Sequence, residues 1–455
     1  MTAPFVRAIP YRDPLAAFAP LAATPMAVLL DSALPGHRGR YSYVAADPVS
    51  VIRAGPAPWP VWVDGARTAD DPFAALARAL APWRVDGGDL PVPFGGGAIG
   101  VLAYELGGVL ERLPAPRGIM FGADMVFGIY DVVAAFDHDA RAAWIIAHGA
   151  EAESRAAQFV RRLGDEPLPP EPGATGTVWQ RETPRADYER MVRAAIALIQ
   201  AGDIFQANLT QRFFAAPPPG LDWFGLYRRL RTRAAGPFGA FFHAGAFRLL
   251  SASPERFLSL AADGRVETRP IKGTRPRDPD PLRDRMLARD LVRSDKDRAE
   301  NLMIVDLLRN DLARVCVPGS IAVPALHSLE TFPAVHHLVS AVTGTLRPGL
   351  TAVDLLRACF PGGSVTGAPK IRAMEVIRDL EAGPRGPYCG ALAWLGFDGA
   401  MDSSIVIRSL VGDDARIYAQ AGGGIVADSD PALEYAESLT KVAPLLAALS
   451  DAAPP

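Results

Sequence analysis

Lysine is nearly absent from this chain. Among 47 basic residues only four are lysines, Lys272, Lys296, Lys370 and Lys441, so the sequence supplies generic positive charge with arginine. Cysteine is scarce too. The three cysteines lie in "RVCVPG", "RACFPG" and "PYCGAL", without metal-ligand spacing, and an odd, sparse set points to a reducing compartment, the cytoplasm. No run of about 18 apolar residues occurs, and "MTAPFVRAIPYRDP" at the start holds no apolar core of signal-peptide length, so neither a membrane span nor a leader is expected. An excess of one charge sign is also missing. With 47 basic and 50 acidic residues the formal charge is −3, and no basic face emerges to bind nucleic acid. The one basic cluster, "YRRLRTR" at 227–233, is expected to be the solvated side of a helix.

What is present is ample core material: 455 residues, 49% hydrophobic, enough for two domains or one large composite one. Residues 1–163 mix short β-like runs ("MVFGIYDVVAAF", "AAWIIAH") with alanine-rich helical patches. Residues 164–179 contain "DEPLPPEPGATG", too rich in proline, glycine and acid to pack, and are expected to be a linker. The remainder, 180–455, opens with a helix that Gly202 should stop, continues with β-patterned runs, and ends in helices at "KDRAENLMIVDLLRNDLARV", "PKIRAMEVIRDLEAG" and "DPALEYAESLTKVAPLLAALS". Blocks of strands alternate with blocks of helices, which fits an α+β fold.

Several groups carry chemistry. In "TRPIKGTRPR", 268–277, the prolines and glycine predict an extended strand ending in a turn, with Lys272 upon it. A lysine kept against the arginine bias points to a primary amine, which can act as a nucleophile, unless the four lysines survive by chance. Asp430 and Pro431 form a cap and first-turn pair, after which Glu434, Glu437 and Lys441 share one helix face. That face either ligates a hard cation such as Mg²⁺ or is an exposed face with a Glu437–Lys441 ion pair. Asp297 and Glu300 begin a helix whose "LMIVDLL" should be buried, so its acidic end needs a partner, which a metal would supply. "PGGSVTGAPK", 361–370, is no P-loop but leads into a helix near Pro369. "QAGGGIV", 420–426, places three glycines after a strand, and both segments either present N–H groups to an anion or are ordinary turns. Arg408 in "SSIVIRSLV" should have a fixed anionic partner. His336 and His337 should face opposite sides of a strand. Glu255 in "SASPERFLSL" sits in an apolar context that would raise its pKa toward use as a general acid.

"SPERF", "RPIKGTRPR", "ENLMIVDLLRNDL", "PGGSVTGAPKIRAME", "GPYCGALAWLG" and "QAGGGIVADSDPALEYAESLTK" together resemble the ordered motif set of the chorismate-utilising enzymes, densely over about 180–450 and more loosely before it. The resemblance implies two large antiparallel sheets packed as a sandwich with flanking helices. Within the family, anthranilate synthases resemble "PIAGTRPR", whereas "PIKGT" resembles the aminodeoxychorismate synthase branch, in which the lysine is a covalent nucleophile. Gln206 stands where the water-adding members carry a lysine base, so water addition is not expected.

The same resemblance implies roles for individual residues. Glu300 and Glu437, with Glu434 close by, match Mg²⁺ ligands. Tyr388, Arg408 and Gly422 match positions that hold the substrate's enolpyruvyl carboxylate. Thr274, Ser364, His337 and Lys441 match further substrate-site positions, and Glu255 matches the general acid. "LLDSA", 29–33, resembles a tryptophan-binding segment, with Ser32 as the candidate. The implied substrates are chorismate and ammonia. No cysteine has the tight-turn setting of a glutaminase nucleophile, so a separate glutamine amidotransferase subunit is expected to supply nitrogen. The rivals are an anthranilate synthase component and a non-catalytic tryptophan- or partner-binding relative. The latter should have lost some of Glu255, Lys272, Glu300 and Glu437, and all four are present.

Overall fold

Strands buried at every position set the architecture. Met125–Tyr130 and Val132–Asp137 are largely apolar and covered on both faces. A sheet achieves this when helices cover one face and a second sheet the other. The computed structural model describes residues 3–34, 39–85, 90–333 and 335–450. Among them are two antiparallel sheets of twelve strands each. One apolar cluster lies between the sheets, joining Val28, Ala240 and Leu249 of the first to Ile99, Val126 and Leu392 of the second. Two more lie between each sheet and its helices, with Phe224, Tyr227 and Leu445 on the first and Ile304, Leu355 and Met374 on the second. The fold is the expected α+β sandwich.

Both sheets contain strands from either side of 164–179. Val28–Asp31 pairs with Phe238–His243 in the first sheet, and Gly97–Leu102 with Ala391–Gly396 in the second. The proline-rich segment forms no helix or strand and none of residues 165–176 is buried, yet hydrogen bonds fasten it to the fold. Proline carbonyls remain acceptors, and Arg228 and Arg229 donate to Pro169 O and Pro172 O, while Thr175 N–H reaches Leu449 O. The basic cluster is likewise only partly solvated. In the helix Trp223–Arg233, Tyr227 and Arg229 are buried. Arg229 Nε donates to Ala448 O at 2.6 Å, capping carbonyls that the Pro431–Leu449 helix leaves unpaired at its C-terminus. Arg231 pairs with the buried Asp31.

The helices follow their signals. Asp430 accepts from Ala432 and Leu433 N–H with Pro431 in the first turn, and Pro369 precedes Lys370–Leu380. Asp295–Ala313 is buried on one face only, with Leu302 left 45% exposed. Its apolar run wraps more of the helix than the sheet can cover.

Two strand crossings lie side by side. The chain passes from Arg248–Ser253 in the first sheet to Arg256–Leu260 in the second through Pro254 and Glu255. It returns from Met401–Ile405 in the second to Ser409–Gly412 in the first through Val406, Ile407 and Arg408. Ile405 N–H donates to Glu255 O, Ser253 Oγ to Ile405 O, and Ala252 N–H to Arg408 O. A carboxyl and a guanidinium distant in sequence are fixed at one point.

Candidate active site

At the crossings burial works against the charge of both side chains. Burial pushes Glu255 up to about 7, against a Ser364 hydrogen bond, the Lys272 charge and the Ile271 N–H, all of which favour the carboxylate. This is the raised acid expected from its context. Arg408 adopts a left-handed backbone conformation, φ 53°, uncommon for a residue with a Cβ and typical of functional positions. Its Nη1 donates to Lys441 O. Burial draws its pKa down, with Tyr388 and Glu437 acting the other way. The fixed anionic partner expected for it is a backbone carbonyl, and among the described residues no carboxylate forms an ion pair with it.

Lys272 lies on Ile271–Pro276, which pairs with Val335–Thr345. The strand does not end in a turn. Its register shifts between Ile271 and Thr274, Gly273 takes φ +82°, and pairing resumes through Pro276. Such a bulge re-aims one side chain without ending the ladder. A Cβ on Gly273 would stand 2.8 Å from Leu291 Cδ1, so the bulge is also closely packed. Lys272 Nζ meets Glu300 Oε1 at 2.9 Å, both side chains largely buried. Past the bulge, Thr274 Oγ1 bonds His337 Nδ1 at 2.9 Å. His336 turns to the other face, as expected, and bonds Thr331 and Asp284.

Three of the four lysines converge on the carboxylates. Lys441 Nζ pairs with Glu437 at 2.6 Å and donates to Gly422 O at 2.9 Å. Burial works to raise the pKa of Glu437, but Lys441, Lys296 and Lys272 bring it below the ordinary value. Glu434, raised by burial and by Glu437, accepts from Ser429 Oγ at 2.7 Å. The acidic end of Asp295–Ala313 thus finds partners in Lys272 and, for Asp297, in Arg275. The glycines of "QAGGGIV" lie inside the strand Ile417–Ile425 rather than after it. Their role is space. A Cβ on Gly422 would stand 1.9 Å from Leu209 O, on Gly423 2.9 Å from Glu434 Oε2, and on Gly424 1.8 Å from Gln206 Nε2 and 2.7 Å from Glu300 Oε1.

Gln206 connects these groups. Its Nε2 donates to Glu300 Oε1 at 2.8 Å, while its buried Oε1 has no hydrogen-bond partner, an unmet acceptor of the kind a bound ligand satisfies. Among the described residues no three acidic, histidine or cysteine side chains form a ready metal cluster. The donor set still fits a Mg²⁺ ion, which needs one or two carboxylates and otherwise keeps water and substrate oxygens.

The remaining expected residues lie on turns. Ser364 sits in the short helical turn Gly363–Val365, beside Glu255, whose carboxylate form it favours. Tyr388 is buried in the turn before Ala391–Gly396, and burial raises its hydroxyl pKa. Ser32 lines a separate cavity of ~230 Å³ between the sheets, with Asp31, Tyr41, Phe238 and Trp394. Its Oγ already donates to Tyr41 O at 2.6 Å. The sequence reading missed Arg385, in "GPRGPYCG", and Glu105, in "AYELGG", whose buried carboxylate accepts from Arg385 and Gly386 N–H. A lone arginine amid prolines and glycines was the available signal.

An acid and a lysine converging beside carboxylate oxygens and a guanidinium without a carboxylate partner suit a small polyanionic substrate. The chain belongs to the chorismate binding enzyme family, whose model matches residues 28–447. It is 43% identical to aminodeoxychorismate synthase component 1 of Salmonella typhimurium over 96% of this chain and 97% of that one. It is 41% identical to anthranilate synthase component 1 of Thermus thermophilus, over 96% and 95%. Among solved structures, anthranilate synthase component I from Streptococcus pneumoniae superposes with a TM-score of 0.81 at 33% identity, covering 91% of this chain and 93% of that one. Among the described residues no helix is long and apolar enough to cross a membrane.

Proposed function

We propose that this chain is component I of an aminodeoxychorismate synthase, converting chorismate and ammonia to 4-amino-4-deoxychorismate for 4-aminobenzoate and folate synthesis. The observation that carries this reading is the meeting of Lys272, absent from the "PIAGT" form, with Glu255 and Glu300. In its neutral form Lys272 attacks C2 of the ring, a C–N bond forms and both ring double bonds shift one position toward C4. The C4–O bond then breaks, and Glu255 gives its proton to the departing hydroxyl, which leaves as water. Ammonia next adds at C4, both double bonds shift back, the C2–N bond breaks, the amine of Lys272 is released, and the new ammonium returns a proton to Glu255. Chorismate and ammonia thus become the amino product and water.

Arg408 and Tyr388 hold the enolpyruvyl carboxylate, with Lys441, Gly422, His337, Thr274 and Ser364 around the ring. Glu300 and Glu437, with Glu434 beside them, would hold Mg²⁺, which when bound supplies positive charge to the ring carboxylate and the shifting electrons. Glu300 cannot serve Lys272 and a cation fully at once, so the 2.9 Å ion pair has to open before the amine reaches substrate.

Ammonia comes from a separate glutaminase. Cys316, Cys359 and Cys389 are all buried, and burial raises each thiol, Cys389 to about 12. A nucleophilic cysteine needs the opposite setting. The cavity at Ser32 is the proposed tryptophan site, supported by its aromatic walls. The test of the activity is incubation with chorismate, Mg²⁺ and ammonium, with products identified by mass. 4-Amino-4-deoxychorismate is expected, and fluorescent anthranilate would instead favour the C2-aminating relatives.

A further inference from the structure

Arg385 is 1% exposed, and its polar groups reach into five neighbouring segments. Its Nε and Nη2 bond Glu381 at 2.9 and 2.6 Å, Nη2 also reaches Asn208 O at 2.5 Å, and Nη1 reaches Val365 O at 2.9 Å. Its N–H donates to Glu105 Oε1 at 2.8 Å, and its carbonyl accepts from Gln420 Nε2. The guanidinium lies 4.5 Å from the Tyr104 ring centroid. Glu105 Oε2 takes the Gly386 N–H at 2.8 Å, and the Tyr104 hydroxyl bonds Thr366 Oγ1 at 3.3 Å.

So enclosed a group cannot touch substrate. Nor is it well explained by stability alone, because a buried ion pair returns little over a well-packed apolar replacement. What it does is join two turns. Val365 adjoins Ser364, whose hydroxyl favours the Glu255 carboxylate, and Arg385 itself stands three residues before Tyr388. A guanidinium fork can hold a carboxylate and two carbonyls in different directions, which a lysine ammonium does not reproduce.

We propose that Arg385, clamped by Glu105 and Glu381, is the positioning residue that sets Ser364 against Glu255 and places Tyr388 for the substrate. The proposal rests on the aminodeoxychorismate synthase reading. It also gives the N-terminal part a share in catalysis, since Tyr104 and Glu105 lie within residues 1–163.

The test uses the full chain with Arg385→Lys, Glu105→Gln and Tyr104→Phe, measuring the melting temperature, kcat, the chorismate KM, and the pH profile of kcat/KM. Glu255 is faced by Lys272, Ser364, the Ile271 N–H and, from the Tyr388 turn, Cys389. All of them remain in these variants. Withdrawing the Ser364 hydroxyl removes a group that favours the carboxylate, so the descending limb should move to higher pH. With it kcat should fall on the order of 10- to 100-fold, the scale of a misplaced catalytic group. Variants that melt lower but keep wild-type kcat and the wild-type limb would overturn the proposal, leaving Arg385 structural. If Arg385→Lys does not fold, the same limb in Glu105→Gln and Tyr104→Phe decides in the same way. A wild-type chain that makes no 4-amino-4-deoxychorismate overturns the functional reading and this inference with it. An active wild type with unaffected variants overturns this inference alone.

Discussion

At the scale of single residues, the site depends on environment more than on residue type. Glu255 is buried whereas the Glu437 side chain is 55% exposed, and burial lifts the first to about 7 while three lysines hold the second below its ordinary value. Glu255 carries its proton below about pH 7 and loses it above. The log of kcat/KM should therefore fall with increasing pH through that region, with unit slope. Glu255→Gln should remove this limb and lower kcat by roughly 10²- to 10⁴-fold, the usual worth of a positioned acid. A pH profile and rate for the glutamine variant that match wild type would assign the proton to another group. Glu300→Gln and Glu437→Gln should each abolish Mg²⁺-dependent turnover with the fold intact by circular dichroism. Full activity of Glu437→Gln at low Mg²⁺ would leave that residue as the counter-ion of Lys441.

At the scale of elements, the helices were readable because their end signals are local. Asp430 and Pro431, or Pro369, act within one turn of themselves. The bulge at Gly273 and the crossings at Glu255 and Arg408 were not readable, since each depends on a strand far away in sequence. The same holds for the glycines of Ile417–Ile425. Their composition suggested a turn, whereas their neighbours Leu209, Gln206 and Glu434 require bare backbone within a strand. Gly424→Ala should force Gln206 and Glu300 apart, costing about 1–3 kcal/mol in denaturant unfolding and most of the Mg²⁺-dependent activity. Wild-type turnover in that variant would mean the strand yields without disturbing the carboxylates. Arg229→Met should lower stability by about 2–4 kcal/mol, because the carbonyls at the end of Pro431–Leu449 lose charge-assisted donors. An unchanged unfolding midpoint would show that other groups satisfy them.

At the scale of the molecule, the two sides of the proline-rich segment share both sheets, and the site joins residues as far apart in sequence as Gln206 and Lys441. Composition could divide the chain at 164–179 because it registers local richness in proline and acid. It could not register Val28–Asp31 pairing with Phe238–His243, which needs three-dimensional partners. With glutamine as the only nitrogen source the single chain should make no aminated product, while ammonium salts should support turnover. The most direct measurement concerns the covalent step. With chorismate and Mg²⁺ but no ammonia, intact-protein mass spectrometry should show an adduct of chorismate minus water, mapping to Lys272 and absent from Lys272→Ala. An alanine variant that makes 4-amino-4-deoxychorismate at the wild-type rate would contradict the account and reduce Lys272 to a positioning charge.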